Sequence, residues 1–281
     1  MTVTCKNKTA VLLATYNGGR YLSEQLDSLL RQSDDDFEIF VHDDGSVDDT
    51  LEILRDYQVR NPEKISILVD EVRGRGAKNS FLWLLEHVDA RYYMFCDQDD
   101  CWLDFKIRRT MDKMRVIETE NPDKPVMIHT DLTIVDANLK TLYPSFWDYA
   151  GYHVDLMRKF GYAATNNVFT GCTMLINRKA RDLSLPAHPD VPMHDWWIGL
   201  VVAKQGVVDN VKESTILYRQ HGGNVESVGR KGDFRFKFMK VFGFMDKYNR
   251  NKKMLKSLGF GYLTALRYKI LYTLHRAGIV G

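Results

Sequence analysis

The chain has 281 residues, of which 44% are apolar and 27% are charged. This composition is typical of a folded globular protein and argues against a disordered or fibrous chain. The four cysteines form no Cys-x-x-Cys pair, so neither a zinc site nor a disulfide framework is indicated. The N-terminus lacks the apolar region of a signal peptide, and no apolar run approaches the roughly 18 residues of a membrane-spanning helix.

The net charge of +2 is the sum of two oppositely charged parts. Residues 230–281 contain 13 Lys or Arg and two acids, a net charge of +11. This leaves residues 1–229 with 26 bases and 35 acids, a net charge of −9. The change of character predicts a domain over 1–229, followed by a basic helical tail over 230–281.

Short apolar segments alternate with amphipathic ones through the first hundred residues. Strands are predicted at 10–14, 37–41, 65–69 and 92–96, and apolar side chains at helical spacing follow each of the first three. This alternation predicts an α/β fold, in which helices cover both faces of a mainly parallel sheet. Ligands of such folds bind beyond the carboxyl ends of the strands.

Polar segments follow three of these strands. They are Thr15-Tyr16, Asp43-Asp44 and the acidic stretch 97–100. Carboxylates packed together repel one another unless a cation lies among them, and Mg²⁺ and Mn²⁺ prefer carboxylate oxygen. The acidic stretch therefore predicts a site for a metal and a diphosphate, with a solvated acidic turn as the alternative.

Five motifs occur in a fixed order along the chain. They are Ala14-Thr15-Tyr16-Asn17-Gly18, Asp43-Asp44-Gly45-Ser46-Val47-Asp48-Asp49-Thr50, Asp97-Gln98-Asp99-Asp100-x-Trp102, His194-Asp195-Trp196-Trp197 and Tyr218-Arg219-Gln220-His221-Gly222-Gly223-Asn224-Val225. Over roughly residues 8–226 the set resembles family 2 glycosyltransferases, which have the Rossmann-like GT-A fold. The third and fifth motifs are most similar to those of bacterial rhamnosyltransferases of surface-polysaccharide assembly.

The resemblance implies that a nucleoside-diphosphate sugar lies against the strand ends. One acid of the pair Asp43/Asp44 is expected to contact the nucleotide, and the other is expected to brace the loop. The sequence does not decide which acid has which role. Trp102 either stacks on the sugar or packs in the core, and Lys78 either contacts the donor or begins a solvated helix. The donor-binding residues implied are Thr15, Tyr16, Asn17, Asp43, Asp44, Lys78, Asp97, Gln98, Trp102 and Arg219.

The resemblance also implies a metal site, a general base and an acceptor site. Asp99 and His221 are the implied ligands of Mg²⁺ or Mn²⁺, and imidazole is the more natural ligand for Mn²⁺. Asp195 is the implied base that takes the proton of the acceptor hydroxyl, with a helix N-cap as its structural alternative. Gly171 and Trp196 are the implied acceptor residues.

These features predict an inverting, metal-dependent glycosyltransferase that acts in surface-polysaccharide synthesis. The expected donor is a dTDP- or UDP-sugar, with L-rhamnose as the candidate sugar. The expected acceptor is a saccharide or a polyprenyl-diphosphate-linked saccharide. A sugar nucleotidyltransferase and a non-catalytic nucleotide-sugar binder are the alternatives, although the loop 14–18 lacks the basic residue that a nucleotidyltransferase phosphate loop usually carries.

The basic tail has apolar residues at helical spacing over 234–248 and 263–274. A helix with one apolar face and several basic residues suits an anionic membrane surface. We therefore expect a cytoplasmic protein that lies peripherally on the inner face of the membrane. The alternative is a pair of helices that packs on the catalytic domain, and the absence of a recognised module argues against nucleic acid as a partner.

Overall fold

In the computed structural model of the protein, residues 2–70, 72–221, 246 and 248–279 are described. The strands are β1 (Val3–Thr4), β2 (Thr9–Thr15), β3 (Phe37–Asp43), β4 (Ile65–Leu68), β5 (Val88–Asp89), β6 (Tyr92–Cys96), β7 (Cys101–Trp102), β8 (Val126–Val135), β9 (Thr141–Tyr143), β10 (Met174–Asn177) and β11 (Val207–Arg219). The four predicted strands are present as β2, β3, β4 and β6.

Helices connect most of these strands. They are α1 (Gly19–Leu30), α2 (Thr50–Arg60), α3 (Ala77–His87), α4 (Lys106–Glu120), α5 (Phe146–Ala150), α6 (Val154–Met157), α7 (Phe160–Ala163), α8 (Arg178–Ser184), α9 (His194–Gln205), α10 (Lys252–Ser257) and α11 (Tyr262–Arg276), with a 3-10 turn at Gly171–Thr173 before β10. Helices α1, α2 and α3 follow β2, β3 and β4, which confirms the predicted alternation.

One large sheet forms the centre of the fold, with strands in the order β4-β3-β2-β6-β10-β8-β11-β7 and β9 beside β8. The first four strands are parallel neighbours, as predicted. The second half is mixed, because β10 runs antiparallel to both β6 and β8. The chain between β8 and β10 contains β9 and short helices and supplies no long crossover helix, so β10 returns in the opposite direction.

Alternate side chains of the central strands face two separate cores. Leu12 and Phe95 belong to the core beneath α3 and α9. Leu13 and Met94 belong to the core beneath α1, α2 and α4. The α/β fold is therefore confirmed, with apolar layers on both faces of the sheet.

The described part of the basic tail packs on the first of these cores. Met254, Phe260 and Tyr272 are buried there. The ring of Tyr268 covers Gly161 in α7, where an added Cβ would lie 2.2 Å from Cζ of the tyrosine. The packing alternative thus holds for 248–279. The predicted boundary at 229 and most of the first predicted apolar face lie outside the described residues, and no described helix is long and apolar enough to cross a bilayer.

Truncation to alanine should lower the stability of the protein on the packed face of α11 and leave it nearly unchanged on the exposed face. Tyr272→Ala removes a buried ring from the core and should lower the free energy of unfolding by about 3 kcal/mol. Leu263→Ala on the same helix changes an exposed residue and should stay within about 0.5 kcal/mol of the wild type. Urea unfolding followed by circular dichroism measures both values. Equal stabilities of the two variants would show that α11 does not pack on the domain.

Candidate active site

Three polar segments meet at one edge of the sheet, beyond the carboxyl ends of β2, β3 and β6. In the sheet register Thr15 is paired with Asp43, and Leu13 is paired with Cys96, which directly precedes Asp97. The acidic stretch 97–100 therefore begins beside the ends of β2 and β3. This is the edge at which open α/β sheets bind their ligands.

Asp43 closes the turn after β3. Its carboxylate accepts hydrogen bonds from the Thr15 hydroxyl at 2.9 Å and from the Ser46 amide at 2.9 Å. The side chain is half-buried, so one side of it still faces solvent at the sheet edge. Of the two neighbouring acids, Asp43 is the one that the fold leaves available to a ligand.

Asp44 braces the glycine-rich loop before α3. Its buried carboxylate accepts hydrogen bonds from the amides of Arg75 and Gly76, each at 2.7 Å. Gly76 has a φ of +75°, which a side chain would strain, and the loop turns into α3 at this residue. The bracing role that the sequence left open between the two acids therefore falls to Asp44.

The loop after β2 is shaped by two predicted donor-binding residues. The Gln98 amide accepts a bond from the Tyr16 amide at 2.8 Å and donates one to the Tyr16 carbonyl at 3.0 Å. Asn17 adopts a φ of +49°, and its side chain accepts a bond from the Val47 amide at 2.9 Å. These bonds hold the Tyr16 ring out from the edge, where it is 56% exposed.

Arg219, at the end of β11, connects separate parts of the site. Its guanidinium donates to the main-chain oxygen of Asp99 at 2.8 Å, to that of Ala137 at 2.6 Å and to the Glu24 carboxylate at 2.7 Å. Its own amide donates to the Asp100 carboxylate at 3.1 Å. The side chain is 1% exposed, so the predicted direct contact of Arg219 with phosphate is not supported, and the residue positions the acidic stretch instead.

Asp99 and His221 are two potential metal ligands whose side chains are in contact. Nε2 of His221 lies 2.8 Å from Oδ2 of Asp99, and both side chains are partly exposed. Two neighbouring ligands of an octahedral ion, each about 2.1 Å from the metal, are about 3 Å apart. The separation therefore fits two ligands of one cation, and the carboxylate–imidazole pair suits Mn²⁺ better than Mg²⁺.

A second group of potential ligands lies deeper in the site. Ligand atoms of Asp97, Asp100 and Cys172 are all within 4.8 Å of one another. Burial, together with the charge of Asp99, raises the pKa of the Asp100 carboxyl well above its usual range. Burial likewise raises the pKa of the Cys172 thiol, which favours a neutral thiol over a thiolate ligand. In this group the half-buried carboxylate of Asp97 is the ligand best suited to a hard cation.

Asp195 lies in the first turn of α9. Its carboxylate accepts hydrogen bonds from the Gly171 amide at 3.2 Å and from the Trp196 amide. It is therefore held by main-chain amides in the first turn of a helix. The N-cap of α9 is Met193, so the alternative that Asp195 caps the helix is wrong, and its role as the base stays a prediction.

Two predicted ligand-contacting tryptophans lie in the core. Trp102 is 1% exposed, and its amide donates to the Ser28 hydroxyl at 3.0 Å. Trp196 is 3% exposed, and its indole N–H donates to the Ala163 carbonyl at 3.0 Å. Burial favours packing over sugar stacking for Trp102, and it does not support an acceptor contact for the Trp196 side chain.

His194, which no sequence pattern marks as a site residue, explains why residue 171 is glycine. Its ring lies between Phe81 and Phe95, and burial lowers its pKa to about 3, so the imidazole stays neutral. A Cβ on Gly171 would lie 2.8 Å from Nε2 of this histidine. Gly171 is itself buried, so its predicted acceptor role is limited to the main chain.

Lys78 bridges two segments at the rim of the site. Its Nζ donates to the Val191 carbonyl at 3.1 Å, so the first turn of α3 is tied to the loop that precedes α9. The side chain is half-buried rather than fully solvated. Its contact with a donor stays a prediction.

Two curated proteins with sequences similar to this chain are glycosyltransferases. The chain is 28% identical over 251 residues to the dTDP-rhamnosyl transferase RfbG of Shigella flexneri, covering 85% of this chain and 81% of RfbG. It is 27% identical over 221 residues to an uncharacterized glycosyltransferase of Nostoc, covering 77% of this chain and 66% of that protein.

Solved structures share the fold. A mannosyltransferase from Pyrobaculum calidifontis, in complex with GDP-Man and Mn²⁺, matches with a TM-score of 0.57 at 16% identity, covering 98% of this chain and 76% of that one. Staphylococcus aureus TarS 1-349 with UDP-GlcNAc matches with a TM-score of 0.56 at 16% identity, covering 97% and 84%. The model of glycosyl transferase family 2 matches residues 10–181, and the chain belongs to this family.

Proposed function

We propose that the chain transfers L-rhamnose from dTDP-rhamnose, with inversion, to a hydroxyl group of a saccharide or a lipid-linked saccharide in surface-polysaccharide synthesis. The donor is inferred from the similarity to RfbG, whose name gives dTDP-rhamnose as its donor class. The family assignment favours this function over a sugar nucleotidyltransferase. The ordered site, with its positioned carboxylates, favours it over a non-catalytic binder.

One observation carries the proposal: a single turn joins the acidic stretch to the candidate base. The Gly171 amide donates to Asp195, while Sγ of the next residue, Cys172, lies within 4.8 Å of the carboxylates of Asp97 and Asp100. The candidate base and the acidic stretch, in which Asp99 would hold the cation that binds the diphosphate, therefore both adjoin one buried turn. Inverting transfer requires the base and the diphosphate on opposite sides of the anomeric carbon.

At the donor end, Asp99 and His221 would hold Mn²⁺ or Mg²⁺. The bound cation would neutralise the charge that develops on the diphosphate leaving group. Asp43 would accept a hydrogen bond from the ribose or the base, and the exposed Tyr16 ring would pack on the base. Arg219 would act through the Asp99 main chain, which it holds at 2.8 Å.

At the acceptor end, Asp195 would take the proton. The acceptor oxygen attacks the anomeric carbon, the bond from that carbon to the diphosphate oxygen breaks, and the hydroxyl proton passes to the carboxylate of Asp195. The main-chain amides of Gly171 and Trp196 hold that carboxylate in place. A positioned base of this kind typically increases the reaction rate by about 10²- to 10⁴-fold.

A lipid-linked acceptor would bring the protein to the inner face of the cytoplasmic membrane. The net charge of +11 over residues 230–281 supports peripheral association with anionic lipid. This association is independent of the donor chemistry, because short soluble acceptors and donor hydrolysis do not require a bilayer.

The donor and metal assignments predict selective, cation-dependent hydrolysis. The protein should hydrolyse dTDP-rhamnose with Mn²⁺ faster than it hydrolyses UDP-GlcNAc or GDP-mannose. Asp99→Ala should lower that rate at least about 100-fold, because a charged ligand worth several kcal/mol is lost. Release of dTDP, measured by chromatography, reports the rate.

Asp104→Ala is the matched control, because Asp104 is an exposed carboxylate five residues further along that pairs loosely with Arg31. Its rate should equal that of the wild type. Full activity of Asp99→Ala in the presence of a chelator would refute the metal assignment. Preferential hydrolysis of another donor would refute rhamnose while leaving the transferase intact.

The base assignment predicts a loss of turnover without a loss of donor binding. Asp195→Asn should lower kcat toward an acceptor by about 10² or more and leave the calorimetric Kd for the donor unchanged. Asp190→Asn, a more exposed carboxylate in the same segment, is the control. If the donor Kd rises sharply while kcat is retained, Asp195 binds the donor and is not the base.

A further inference from the structure

Helix α11 has one face that packs and one that does not. Ala265 and Tyr272 on the packed face are buried, and Tyr268 covers Gly161 on α7. Lys269 is also tied to the domain, since its Nζ donates to the Asn166 side chain at 2.7 Å. The helix is therefore fixed in orientation about its own axis.

The opposite face of α11 presents aliphatic side chains to solvent. Leu263 is 79% exposed and Ile270 is 52% exposed, and their spacing of seven residues places them on one side of the helix. The half-buried Leu274 lies one turn further along the same side, and the exposed Arg267 lies between the first two. Burying such side chains is worth about 1.5–3 kcal/mol each, so an exposed row of them favours a binding surface.

The charge of the region selects the kind of partner. From 248 to 279 the chain carries seven Lys or Arg and no acid. Six of these seven residues are exposed, and only Lys269 is half-buried. On α10, for example, Lys252, Lys253 and Lys256 all face solvent. A symmetric dimer through this face would bring two basic surfaces together, whereas an anionic bilayer would neutralise them.

We propose that the outer face of α11, formed by Leu263, Ile270 and Leu274, is the surface that enters the headgroup region of an anionic bilayer. The inference rests on the peripheral association proposed above and names the residues that carry it. The helix would lie in the plane of the interface, with its aliphatic side chains in lipid and its basic residues at the phosphates.

This orientation places the acceptor side of the site near the lipid. The packed face of α11 covers α7, and the carbonyl of Ala163 in α7 accepts the indole N–H of Trp196, the residue after the candidate base. The bilayer, α11, α7 and the start of α9 thus follow one another as layers.

The test compares two double variants of the full chain by co-sedimentation with vesicles at low salt. Leu263→Ser with Ile270→Ser removes the proposed surface. Val59→Ser with Val116→Ser is the control, because these valines are 78% and 52% exposed on α2 and α4, far from the tail in sequence. Vesicles of phosphatidylcholine alone and of phosphatidylcholine with 30% phosphatidylglycerol are used.

The wild type and the control should bind the anionic vesicles with equal partition coefficients, and the α11 variant should bind at least about 10-fold more weakly. Hydrolysis of dTDP-rhamnose should be the same for all three proteins, which separates this result from a failure of the transferase. Equal binding by the α11 variant would overturn the inference. Equal binding of the wild type to both kinds of vesicle, or no binding to either, would also overturn it. The same holds if light scattering shows a dimer of the wild type and the control that the α11 variant does not form.

Discussion

The candidate site depends on the hydrogen bonds that the buried guanidinium of Arg219 donates. It joins the end of β11 to the acidic stretch through Asp99, to α1 through Glu24 and to the loop after β8 through Ala137. Hydrogen bonds to a charged group are worth about 1.5–3 kcal/mol each, and a buried guanidinium that loses a partner is costly. The parallel and mixed halves of the sheet are thereby held together at the edge where ligands bind.

The position of the proposed cation follows from this connection. His221 comes two residues after Arg219, so the same chain segment that fixes the Asp99 main chain also brings the imidazole to within 2.8 Å of the Asp99 carboxylate. The buried turn at 171–173 then connects the acidic stretch to Asp195. The proposed metal ligands and the candidate base are therefore held by hydrogen bonds to partly or fully buried groups, which suits a reaction that needs fixed geometry.

The strands and their polar ends could be predicted from sequence because their patterns are local. Four strands and the gathering of Thr15, Asp43 and Asp97 at one edge follow from alternation and parallel pairing alone. Side-chain burial could not be predicted in the same way. Arg219 pairs with Glu24, which lies 195 residues away, and no local pattern marks that glutamate. Trp102 likewise lies in a core assembled from elements distant in sequence. Its motif therefore did not reveal that the side chain packs in the core.

We propose that Asp99 and His221 provide the cation site. An anomalous-difference map of crystals grown with Mn²⁺ and dTDP tests it most directly. We expect one strong peak within coordination distance, about 2.1 Å, of both Oδ2 of Asp99 and Nε2 of His221. A peak held by Asp97, Asp100 and Cys172, or no peak at the edge of the sheet, would contradict it.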